Sequence, residues 1–337
     1  MILHPGILAL LLGALLVTLL MLYACLIGAS VLRHWDRASY SRQQLELERR
    51  TYLISTMVNY ALGFQALSLL LFIYTVDSLH PLFIGAMCAT GTLNANPVGW
   101  DVLRVKIPVF FLAWLWVIIN HYDLRVEDSP LVRPKYAALF VLLPLVALDG
   151  WWQFRYFTGL DPQIITSCCG SLFSQAGDGI ASSLAGLPIV PMIWVFYLWL
   201  LLVLGLLLPA FRCNSAALRY LLALAALLLL PVGLASVISF ISIYIYEMPT
   251  HHCPFDLLQG GYHFIGYPLY LALFGTVLCG LVPGLMRLLQ LVAPGLGPVF
   301  ATSERGWLAA ALLFWLLLLG LVSWPLLFGP FTLQAYL

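Results

Sequence analysis

The chain has 337 residues, 63% hydrophobic and 9% charged, with a mean hydropathy of +1.00. A soluble globular chain is roughly 45–50% apolar and roughly 25% charged, so this composition excludes a soluble protein with a large core. A net charge of +1 excludes nucleic acid as a partner, and the 11 Trp, 16 Tyr and 19 Phe suit the two interfaces of a bilayer.

A helix needs about 20 apolar residues to cross the hydrocarbon core. Eight stretches meet or approach that length, at 7–32, 52–76, 99–121, 135–153, 188–211, 218–246, 264–288 and 306–328. The first is not a secretory signal, because Met1–Gly6 has no basic residue and the apolar run is too long. The third carries Asp101, Arg104 and Lys106 in its first turns, and long basic side chains there are expected to snorkel to the interface. The fourth is short and holds Pro144 and, near its end, Asp149. The sixth contains Pro231, which predicts a kink or tilt. The polar segments between spans are too short to fold alone. The expected fold class is therefore all-α, one polytopic membrane bundle of about eight helices spanning 1–337 as a single transmembrane domain.

Orientation follows from charge. With the amino terminus outside, the inside loops hold Arg33, Arg37, Arg42, Arg49, Arg50, Arg125, Arg133, Lys135, Arg212, Arg219, Arg287 and Arg305. Only Arg104, Lys106 and Arg155 fall outside, 3 of the 15 basic residues. Cytoplasmic loops carry the excess of Lys and Arg, so both termini are expected on the extracytoplasmic side of a bacterial inner membrane. The extracytoplasmic loops are then 77–106, 154–187 and 247–263. The cytoplasmic segment 33–51 reads as a helical loop extending the first or second span. No repeat of 20–50 residues is evident.

No ionisable residue is expected near the middle of a span. That argues against a proton-coupled transporter, a pump core or a haem bundle. Asn59 and Gln65, the main polar side chains of the second span, fit helix-to-helix hydrogen bonds.

The chemistry collects outside. Cys25 and Cys279 lie in spans and Cys213 in an inside loop, where thiols read as small hydrophobes. Cys88, Cys168, Cys169 and Cys253 all fall on the extracytoplasmic, oxidising side. His80, His251, His252 and His263 share that side. Met87 precedes Cys88, and Met248 lies five residues before Cys253. Thiolate, thioether and imidazole together suit soft ions such as Cu(I). Segment 80–99 is too short to span, is broken by Gly91, Asn94, Asn96 and Pro97, and reads as a re-entrant or interfacial piece centred on Cys88. Loop 154–187 carries the vicinal pair Cys168-Cys169. Adjacent cysteines rarely bond to each other, so each pairs elsewhere or the pair is reactive.

The third outer loop reads His251-His252-Cys253-Pro254-Phe255-Asp256-Leu257-Leu258-Gln259. Its Cys253–Gln259 segment resembles the Cys-x-x-Cys-x-x-x-Gln segment of the DsbB-type membrane oxidoreductases, which oxidise periplasmic thiols and pass the electrons to quinone. The resemblance implies that Cys253 is the first family cysteine and Gln259 the glutamine, a cofactor-binding position. Asp256 stands where the family has its second cysteine, no Arg follows the Gln, and the likeness covers about ten residues. A redox partner for Cys253 must then come from another loop, with Cys88, Cys168 and Cys169 as the candidates.

Three readings remain open. Cys253, Cys168, Cys169 and Cys88 are catalytic thiols exchanging electrons with a periplasmic partner or quinone. Alternatively, His251, His252, Cys253, Cys168, Cys169 and Met87 hold copper. In the third reading the cysteines form two structural disulfides in a non-catalytic subunit of a larger membrane complex. Each implies membrane lipid and another membrane or periplasmic protein as partners.

Overall fold

The computed structural model describes residues 2–36, 41–126, 129–166 and 186–331. Among these the chain is all-α, and eight helices are long and apolar enough to cross a membrane, making it a multi-pass membrane protein. In chain order the helices are α1 Pro5–His34, α2 Arg42–Ser78, the short α3 Ala89–Asn94, α4 Gly99–Asp123 and α5 Val132–Thr158. They continue with α6 Ile189–Ala210, α7 Ala216–Ser236, α8 Ser242–Tyr246, α9 Gly266–Val292 and α10 Gly297–Phe328. A π turn, Val237–Ile241, links α7 to α8.

All eight expected spans are present, with shifted ends. The helical character of 33–51 belongs to α2, which begins at Arg42 after Ser41 caps it by accepting a bond from the Gln44 N–H (3.3 Å). Pro5 sits in the first turn of α1, where its missing N–H costs nothing. Pro231 lies within α7, and the departure from regular helix comes later, at the π turn.

By its contacts the chain divides into two compact units. Unit 1 comprises residues 1–82, 92–164 and 292–299, and unit 2 comprises 83–91, 165–291 and 300–337. Unit 1 holds four of the long helices, α1, α2, α4 and α5. Its core interleaves Val17, Met21 and Ala24 of α1 with Val58 and Leu62 of α2, Val109 and Trp116 of α4, and Tyr136 and Leu139 of α5. In unit 2, α9 packs on α7 through Gly280 and Gly284. A Cβ on these would come within 2.7 Å of Ala226 Cβ and 2.6 Å of Ala223 Cβ, so the small-xxx-small spacing is what lets the helices touch.

Unit 1 also corrects one expectation. Lys106 does not snorkel. Its side chain is fully buried, and Nζ donates to Asp149 Oδ2 (2.9 Å) and to Ser68 Oγ (3.1 Å). Gln65 and Gln153 also donate to Asp149 Oδ2, at 2.6 and 2.9 Å. Lys106 lies seven residues into α4, about 10 Å along the axis at 1.5 Å per residue. An opposite charge within reach at that depth offers more than a long climb to the interface. Gln65 thus bonds between helices as expected, and Asn59 accepts from Asn120 Nδ2 (3.5 Å).

Candidate thiol site

Two loops of unit 2 build the site. The first, residues 83–91, enters α3. Gly85 adopts φ +86°, a left-handed conformation that favours glycine, and a Cβ there would strike the Thr166 carbonyl. Thr166 donates its N–H to the Ile84 carbonyl (2.9 Å), so the chain is pinned to this loop two residues before Cys168.

The second loop follows α8. Glu247, in the left-handed region, ends that helix. Tyr246 Oη then donates to the Cys253 carbonyl (2.5 Å), and Tyr270 Oη, from α9, donates to the Pro254 carbonyl (2.6 Å). The π turn also contributes, because His252 Nδ1 lies 2.8 Å from the Ile238 carbonyl within it. Gln259 closes the two loops on each other, donating Nε2 to the Met87 carbonyl (2.8 Å).

This scaffold brings Cys88 Sγ to 3.5 Å from Cys253 Sγ, although 165 positions separate them. Both residues are 0% exposed. Thr90 Oγ1 lies 3.3 Å from Cys253 Sγ, and the Phe255 N–H donates to the same sulfur (3.4 Å), an arrangement that stabilises negative charge there. Asp256 completes the group. One of its oxygens and the two sulfurs all lie within 4.8 Å of one another. His251 Nε2 is 2.6 Å from Asp256 Oδ2, and its side chain is 26% exposed, so it joins the buried carboxylate to the surface. Tyr262, in the same loop, has its phenol pushed above the ordinary value by burial first, then by the negative charges of Asp256 and Cys253.

Of the expected site residues, the structure brings Cys88 and Cys253 together. Cys168 and Cys169 lie outside the described residues. His251 sits behind Asp256, and His252 is turned to the π turn. Neither imidazole belongs to the sulfur group, and Met87 is 70% exposed. Gln259 ties loops, and its amide already holds a backbone carbonyl. The residue that sequence reasoning passed over is Asp256, read there only as a missing cysteine. Its spacing of three from Cys253 was the available signal.

Compared with known proteins, the chain matches no family model, no curated protein and no solved structure.

Proposed function

We propose that this chain is a thiol-redox protein of the bacterial inner membrane, with Cys88 and Cys253 cycling between dithiol and disulfide on the extracytoplasmic side. The observation that carries the reading is the 3.5 Å separation of two sulfurs brought from distant loops. Bond formation needs them to close by about 1.5 Å, to the roughly 2.0 Å of a disulfide. In the forward step two S–H bonds break and one S–S bond forms, and two protons and two electrons leave. The acceptor takes both pairs: a quinone becomes quinol, or a periplasmic partner's disulfide becomes two thiols.

The residues around the pair suit that step. The Phe255 N–H favours the attacking thiolate. Asp256 stands where it can receive a thiol proton, with His251 between it and the surface. Burial of both sulfurs keeps a partner protein from reaching them directly, so in this reading the vicinal pair Cys168-Cys169 carries the exchange between them and the partner. That assignment is supported by Thr166, bound to the Cys88 loop two residues earlier. The 12 to 3 asymmetry of basic residues supports the bacterial inner membrane and the outward face.

The test is differential alkylation with mass spectrometry on the purified chain, before and after incubation with a soluble quinone or an oxidised dithiol. The expected result is a Cys88–Cys253 disulfide that forms with either oxidant and is reversed by a mild dithiol. A pair that stays alkylatable as two thiols under both oxidants removes the proposal.

A further inference from the structure

We infer that, when reduced, the Cys88–Cys253–Asp256 group is a binding site for a thiophilic divalent cation of the zinc type, held by two thiolates and one carboxylate. This goes beyond the redox reading, since the site would bind metal whether or not the pair cycles.

Geometry is the first argument. With metal–sulfur bonds of about 2.3 Å, two thiolates on one tetrahedral ion sit about 3.8 Å apart. Cys88 and Cys253 sulfurs stand at 3.5 Å, and the carboxylate oxygen lies within 4.8 Å of both. Only a small inward shift closes the third edge.

The second argument is independent of the sulfurs. Asp256 is buried, and its two oxygens differ. Oδ2 is held by His251 Nε2 at 2.6 Å, whereas Oδ1 is buried with no hydrogen-bond partner. A buried acceptor left without a donor is costly, more so when charged, so the site lacks a positive or donating group at that atom. A cation supplies it, and His251 fixes the carboxylate as outer groups fix ligands in metal sites.

The donor set selects the ion. Cu(I) prefers thiolate and thioether, but the nearby thioether, Met87, is 70% exposed whereas both thiols are buried. Two sulfurs with one hard oxygen suit a borderline-soft divalent ion, and three protein ligands leave a fourth position open to water. Two protons leave as the thiolates bind. The bound ion occupies both sulfurs, so metal loading and disulfide formation exclude each other.

Cobalt(II) titration of the full chain, in nanodiscs and reduced with a phosphine, reads this directly through sulfur-to-cobalt charge-transfer absorption. One equivalent displaceable by zinc is expected. Cys88→Ser and Cys253→Ser should each abolish the band. Asp256→Asn should weaken binding at least tenfold, with Asp256→Cys restoring it, which separates lost ligation from misfolding. His251→Gln should weaken binding about 10–100-fold. The double change Cys168→Ser and Cys169→Ser should leave the band in place. Absence of the band at millimolar cobalt, its survival unaltered in Asp256→Asn, or its loss with the Cys168 and Cys169 changes would each overturn the inference. Because no oxidant is present, failure here leaves the disulfide experiment standing, and the reverse also holds.

Discussion

The two units each hold four of the membrane-length helices, yet they spend their polar groups differently. Unit 1 sets ion pairs within and between its helices. Lys106 meets Asp149, and Lys135 meets Asp123 (2.6 Å) with Asn120 Oδ1 as a further acceptor (3.1 Å). Unit 2 joins its helices through small residues, Gly280 and Gly284 against α7, and through single neutral bonds such as Tyr197 Oη to Ser323 Oγ (3.0 Å). A buried ion pair sits at the α6–α7 junction. Arg219 pairs with Glu304 (2.7 Å) and also donates to the Ala210 and Cys213 carbonyls at the end of α6, where positive charge is favoured. Its sulfur chemistry lies in loops. The contrast teaches that burying a charge and building a reactive site are separate uses of polarity. Unit 1 places its buried carboxylates against lysines on neighbouring helices, while in unit 2 the buried Asp256 meets a histidine and two thiols and, among the described residues, no lysine or arginine.

The largest effect that bears on this comparison is expected at Lys106. Lys106→Met strands a buried carboxylate and should destabilise the chain by about 3–5 kcal/mol, measured by denaturation in mixed micelles. Adding Asp149→Leu should recover most of that loss. A double variant as unstable as the single one would mean that the pair is not what holds α4 to α5.

Next in size is Gly284→Leu in α9, which drives a side chain into Ala223 and should cost about 1–3 kcal/mol by the same assay. An unchanged stability would show that α7 and α9 do not need their close approach.

Smaller effects are expected at the thiols. Cys253→Ala should abolish the intramolecular disulfide in the alkylation assay and leave thermal stability within about 1–2 kcal/mol, since it removes one buried sulfur. A loss of about 2–5 kcal/mol under oxidising conditions alone would instead mark a structural staple. Thr90→Val, which deletes the hydroxyl 3.3 Å from Cys253 Sγ, should cost about 0.5–1.5 kcal/mol and slow alkylation of Cys253 in the reduced chain. An unaltered alkylation rate would show that the hydroxyl does not touch the thiol's reactivity.

The smallest is a pH effect at Tyr262. Its phenol is raised, so the folded chain holds the proton more tightly than the unfolded one. The associated stability is complete below the ordinary tyrosine value of about 10 and is lost as pH rises through the higher folded value. Tyr262→Phe should flatten the alkaline limb of the stability profile. A limb of unchanged slope would assign the alkaline loss to other groups.

The sequence alone determined the membrane architecture. Runs of about 20 apolar residues have no other stable home, and a backbone in lipid must satisfy its own hydrogen bonds, so eight helices follow from composition and spacing. It also named Cys88, Cys168, Cys169 and Cys253 as candidates for one site, because all four fall on the side that the charge pattern places outside, and left open which of them meet. Tertiary structure alone decided the rest. That Lys106 is buried depends on Asp149, 43 positions away, and no local rule sees across that distance. The π turn that frees the Ile238 carbonyl for His252 leaves no mark in hydropathy. Asp256 looked like a substitution in a borrowed motif until Cys88 arrived beside it from another loop. Periodicity and charge report which face or side a residue occupies. Which side chains touch is set by long-range packing, where a few ångströms separate a buried sulfur pair from two unrelated cysteines.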